Sequence, residues 1–173
     1  VQVVKELREH GADIDAKNRY GRTALHFACN QDQLAVVIEL VRPNDSKDTT
    51  TILDKRESRG GANIQAKDNN GDTPLHDASG NGHLAVVKAL LAIGADIQAI
   101  NNDGNLPIHE AVRGGNSAVA KFLLQQLYAT TRRLPLHEVV EDLTWIGDPN
   151  SSDAPPLREA LDENVLGTDD VLE

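Results

Sequence analysis

The chain has 173 residues, 39% hydrophobic and only 3% aromatic, with 17 Lys+Arg against 27 Asp+Glu and a net charge of −10. That is enough chain for one or two domains, and its longest apolar stretches, such as Leu84 to Ile93 interrupted by Lys88, fall well short of the ~20 apolar residues that cross a bilayer. The excess charge is local: residues 1–133 hold 16 basic and 16 acidic side chains, whereas from Leu134 onward eleven acids face Arg158 alone, a distribution that repels a phosphate backbone and argues against nucleic-acid binding.

In chain order, Val1 to His10 reads as a helix closed by Gly11-Ala-Asp-Ile14, with the glycine expected in the left-handed conformation that ends helices. Gly21-Arg-Thr-Ala-Leu-His-Phe-Ala-Cys29 then opens a block that returns as Gly71-Asp-Thr-Pro-Leu-His-Asp-Ala-Ser79 and as Gly104-Asn-Leu-Pro-Ile-His-Glu-Ala-Val112. The last two glycines stand 33 residues apart, a period that marks a repeat architecture. Thr73 is placed to cap the block's first helix through its hydroxyl, and Pro74 occupies the first helical position, where a missing N–H costs nothing. Small residues follow, Ala28-Cys29 and Ala78-Ser79, as expected where two short helices approach closely. Turns at Asn70-Gly71 and Asp103-Gly104 carry a hairpin signal.

Behind each block comes an apolar run at helical spacing: Leu34, Val37, Val41; Leu84, Val87, Leu91; Val119, Phe122, Leu123. These predict amphipathic helices of about three turns, closed in the middle repeats by Gly61-Ala-Asn-Ile64 and Gly94-Ala-Asp-Ile97. Gly21 and Gly71 are 50 residues apart rather than 33, so 17 extra residues lie in this unit. They are placed near Arg42 to Gly60, an exposed, polar, turn-rich insertion with a possible helical turn over 52–59. After Leu127 the period breaks. Leu134-Pro-Leu-His137 and Pro155-Pro-Leu-Arg158 echo the block at irregular spacing, and Thr168 would start a helix cut short at Glu173.

The signature of Gly71 to Ala78, followed by Gly82-His-Leu-Ala-Val-Val-Lys-Ala-Leu-Leu91 and Gly94-Ala-Asp-Ile97 at a 33-residue period, resembles the ankyrin repeat over residues 1 to 128. The resemblance implies an all-α fold, an α-solenoid of stacked helix-turn-helix units joined by β-hairpin loops. It divides the chain into the second half of a repeat (1–16), a repeat with the insertion (17–66), a regular repeat (67–99), another repeat (100–131), and a divergent, truncated remainder with an acidic loop (132–173). First helices of ~8 residues cannot stand alone, so stability is expected from stacking on neighbours.

No catalytic, cofactor or metal site is read from the residues. His26, His76, His109 and His137 recur at one repeat position, and equivalent positions in stacked helices lie ~8–10 Å apart, too far for one zinc ion. A histidine bonding across the turn and helix start is the better account. Gly80-Asn-Gly-His-Leu-Ala85 has the spacing of a dinucleotide fingerprint without the preceding strand that motif needs. Cys29, the only cysteine, stands where its sister repeats have Ser79 and Val112 and reads as a small packed residue. It cannot form an internal disulfide, so a reducing intracellular setting, cytoplasmic by default, is expected. With Val1 first and no Met anywhere, the chain is read as a piece of a larger protein, its stack expected to continue there.

Function is then expected at positions that vary over the constant frame. The resemblance implies a concave surface of loop tips and first helices: Lys17, Arg19, Tyr20, Arg22, Phe27, Asn30 and Gln31; then Lys67, Asn69, Asn70, Asp72, Asp77 and Asn81; then Asn102, Asp103, Asn105, Glu110 and Arg113. This surface runs from basic with two aromatics, through polar, to acidic. Tyr20 and Arg22 are residue types enriched in interface hot spots, and Phe27 is a large apolar group facing solvent, the alternative being that Tyr20 and Phe27 cover a neighbouring repeat or the inserted segment. The reading is a non-enzymatic module, monomeric and without membrane insertion, that binds a protein or peptide partner. The alternative is a regulatory or structural arm of a larger enzyme or channel.

Overall fold

A computed structural model describes residues 1–43 and 61–131; the expectations for the insertion, for His137 and for 132–173 lie outside the described residues. Seven helices are found in this part: α1 (Gln2–Glu9), α2 (Ala24–Asn30), α3 (Leu34–Val41), α4 (Pro74–Gly80), α5 (Leu84–Ala92), α6 (Pro107–Arg113) and α7 (Ser117–Thr131). They form two layers. The first helices α2, α4 and α6 pack in sequence, the second helices α1, α3, α5 and α7 pack in sequence, and each first helix packs on the second helix of its own unit. Among the described residues the loops joining units are turns without assigned strands, so the hairpin character expected of them is limited to their tips.

One continuous core lies between the layers. Leu25, Val37, Leu75, Val87, Leu90, Ile108 and Leu123 are fully buried, and Ala28, Cys29, Ala78, Ser79 and Ala111 keep the helix pairs close. First helices have 7 residues, and α3 and α5 have 8 and 9, shorter than the three turns expected. None could persist alone, and burial between neighbours supplies the stability. α7, with 15 residues, meets no closing glycine and runs on to Thr131. Ser79 leaves its hydroxyl buried with no hydrogen-bond partner, in the position where the sister repeats place a thiol and an isopropyl group.

Histidine organises each helix start. Nδ1 of His76 accepts the backbone N–H of Thr73 (3.2 Å) and lies 2.9 Å from its hydroxyl. With Nδ1 accepting, the ring proton sits on Nε2 and is donated to the Asn105 carbonyl of the next unit (3.0 Å). His26 repeats the arrangement, from Thr23 to the Asp72 carbonyl (3.1 Å). At His109 the capping residue is Leu106, whose backbone N–H alone makes the bond (2.8 Å). His83 reaches back one unit, to the Asn30 carbonyl (3.0 Å). The rings of His26, His76 and His83 thus act as struts between helix, turn and neighbouring unit, and His109 braces the start of its own helix.

The 17-residue insertion interrupts a helix cap. In the regular units a left-handed glycine, Gly11 (φ 77°) or Gly94 (φ 95°), closes the helix. The next amide then bonds back inside it, Ala12 to the Leu7 carbonyl and Ala95 to Leu90, at 3.0 and 2.9 Å. In the inserted unit α3 ends in extended backbone at Arg42, yet Ala62 N–H returns to the Leu40 carbonyl at 2.8 Å. Gly61 does not take the expected left-handed conformation. Its lack of a side chain is required because a Cβ would collide with the Val41 carbonyl. Arg8 of α1 holds the end of α3, bonding the carbonyls of Glu39 and, at 2.7 Å, Arg42.

Candidate partner-binding face

The loop tips are closed by their own side chains. Oδ1 of Asn18 accepts the N–H groups of Tyr20 (2.9 Å) and Arg22 (3.0 Å), and Asp68 and Asn101 do the same for Asn70 and Asp72 and for Asp103 and Asn105. Gly21, Gly71 and Gly104 supply the positive φ each tip needs, at 73°, 78° and 81°. Successive tips are then laced together: Asn69 N–H bonds the Tyr20 carbonyl (3.0 Å) and Asn102 N–H that of Asn70 (2.9 Å). The result is a fixed row of tips beside the row of first helices.

Family models decide what this stack is. One for ankyrin repeats in three copies matches residues 44–133, and one for ankyrin repeats in many copies matches residues 1–40. The chain belongs to the ankyrin-repeat family. No curated protein matches the sequence. Ankyrin repeats are generally protein–protein interaction modules and typically carry no catalysis of their own.

Within the ankyrin frame, the residues singled out for partner binding fall into three groups. Some hold the stack: Lys17 donates to the Lys67 carbonyl and Lys67 to that of Ile100, both at 2.7 Å, while the amides of Asn69 and Asn102 reach the carbonyls of Arg19 (3.1 Å) and Asn69 (3.0 Å). Others form two polar clusters, buried or half-buried but for the exposed Arg113. Arg22 pairs with Asp68 (3.5 Å) and with Asp77. Asn101 joins Asp72 (2.8 Å) to Glu110 (3.3 Å), and Glu110 also takes Asn105 and Arg113. Glu110, expected at the surface, is buried at 7% exposure. The third group faces solvent: Tyr20, Phe27, Gln31, Asn70, Asn81 and Asp103, with Asn30 half-buried beside them.

Two features of this face bear on function. At one end, Tyr20 and Phe27 are 54% and 47% exposed, with the Arg19 guanidinium 4.6 Å from the Tyr20 ring centre and the Arg22 guanidinium 5.8 Å from that of Phe27. In the middle, a cleft of about 260 Å³ opens between α4 and α6, with Asp72, Asp77 and Asn81 on one side and Glu110 and Arg113 on the other. Burial pushes the Asp77 carboxyl up to about 7; Arg22 opposes the shift and the nearby Asp68 and Asp72 add to it. One Asp77 oxygen, Oδ2, has no hydrogen-bond partner. Burial likewise pushes the Cys29 thiol up to about 12, which leaves it unreactive at neutral pH.

The roles of Lys17, Lys67, Asn69 and Asn102 had a signal in the sequence. Lysine recurs at 17 and 67 and asparagine at 69 and 102, and a residue type that recurs at one repeat position serves the frame. The same recurrence marks Asn18, Asp68 and Asn101, the acceptors that close the tips.

Proposed function

We propose that this ankyrin stack is a protein- or peptide-binding module whose contact surface is the row of loop tips and first helices, with Tyr20 and Phe27 as its anchors. The observation that carries the reading is their exposure. Two large rings stand in solvent with a guanidinium beside each, uncovered by any described neighbouring unit, in a chain that is only 3% aromatic. Such rings anchor interfaces because they bury much area while losing few rotatable bonds. The partner is held without chemical change, in a reducing, intracellular compartment.

The test compares affinity capture by the full chain with capture by a Tyr20→Ala, Phe27→Ala double variant. Arg22 is left intact because it pairs with Asp68 and Asp77. Removal of two hot-spot rings should weaken binding by on the order of 2 kcal/mol or more, enough to lose the partner from a washed resin. Equal recovery by a folded double variant would reject the anchor assignment.

A further inference from the structure

We propose that the cleft between α4 and α6 is a subsite for one basic side chain, lysine or arginine, of a bound peptide. The inference rests on the peptide-binding reading above and adds the chemistry of a second anchor. Three carboxylates, Asp72, Asp77 and Glu110, border the cleft, with Arg113 the only permanent cation among its lining residues. That cation is committed to Glu110 at the rim. Arg22 approaches from the neighbouring tip and divides its guanidinium between Asp68 and one oxygen of Asp77. Negative charge at the cleft is therefore under-compensated.

Asp77 is the group that calls for a donor. Its side chain is 9% exposed, and its second oxygen has no partner, a state that costs free energy for a buried acceptor. Both oxygens of Glu110 and one of Asp72 already have donors in Asn101, Asn105 and Arg113, and among the cleft's carboxylates it is Asp77 that keeps a buried oxygen without one. Oδ2 is sealed in the unbound chain, and an incoming ammonium or guanidinium reaches the carboxylate through a turn about its soft terminal torsion. The groups that face Asp77 are Arg22, Asp68 and Asp72 from the tips, Cys29 from α2, and His76, Glu110 and Arg113 beside the cleft. A cation placed there favours the ionised carboxylate, so binding should release a proton near neutral pH and strengthen as pH rises.

The test titrates the isotope-labelled full chain with N-acetyl-arginine amide, N-acetyl-lysine amide and uncharged N-acetyl-citrulline amide, and follows backbone amide shifts. The proposal expects saturable shifts at millimolar concentration at Gly80, Asn81 and Gly114 with a cationic probe and none with citrulline, with affinity rising at least threefold from pH 6 to pH 8. Asp77→Asn should weaken the response at least fivefold and remove its pH dependence. Gly80→Ala is a second variant that keeps every charge: its added Cβ meets the Glu110 Cβ at an ordinary 3.6 Å and narrows the cleft, so it too should weaken the response. Equal shifts from citrulline, no saturable shift from either cation, or full response in Gly80→Ala would overturn the subsite. These outcomes are separate from capture through Tyr20 and Phe27, which would persist without the subsite.

Discussion

Asp77 and Ser79 flank Ala78 and each keeps one buried oxygen without a partner, yet the two differ in what substitution there does. In Ser79→Ala the unpaired hydroxyl leaves a site whose counterparts are Cys29 and Val112. The variant should gain about 1 kcal/mol of stability, since an unsatisfied buried hydroxyl costs roughly 1–3 kcal/mol. Urea unfolding would show it, and a loss of stability would mean that the hydroxyl is satisfied in solution. Asp77 acts through pH. Its ordinary value of 3.8 is raised to about 7, so between those values the native state holds a proton that the unfolded chain has released. Stability from this group therefore falls as pH rises through that window, by roughly 2–4 kcal/mol in all. His26 has the opposite sign. Burial lowers it from 6.5, so its neutral form suits the fold above 6.5 and stability is lost as pH falls below that value. In urea midpoints measured from pH 5 to 8, Asp77→Asn should gain on the parent chain as pH rises. Parallel curves would refute the assignment.

At the scale of the element, short helices depend on how they end. The turn between α2 and α3 places Asp32 at φ 54°, where the equivalent turns use Gly82 (79°) and Gly115 (70°). Asp32 is the only left-handed non-glycine among the described residues, and its carboxylate lies 3.7 Å from His83. The end of α3 is freer, because the Leu40–Ala62 bond is made despite the added residues. Deleting residues 44–60 together with Pro43→Ala restores the regular spacing. The shortened chain should keep the helical circular dichroism of the parent and gain about 1–2 kcal/mol from the lower entropy of closing a shorter loop. A loss of cooperative unfolding would instead show that the insertion is part of the fold.

Across the whole molecule, the repeat was legible because its signature residues have one physical role each. Thr73, Pro74, His76 and Gly94 fix a helix start or end, and Leu75, Val87 and Leu90 fill the core. The helix order and the stacking of one unit on the next followed from them. The binding face was legible only in part. Position alone put Arg22, Asp77, Glu110 and Asn105 on the surface, where the structure pairs Arg22 with Asp77 and hydrogen-bonds Asn105 to a buried Glu110. Nothing local in a sequence states that Arg22 meets residues 46 and 55 positions away. Gly61 shows the same limit: its sister glycines need a positive φ, whereas Gly61 needs room for a carbonyl brought in from the far side of the insertion.

The seam at Arg42 and Gly61 also separates chain continuity from structural continuity. The units on its two sides already meet through α2 on α4 and α3 on α5, through the His26 and His83 struts, and through the Lys17 and Ala62 bonds. A protease that cut between them would divide the polypeptide into two pieces while the stack held both in place.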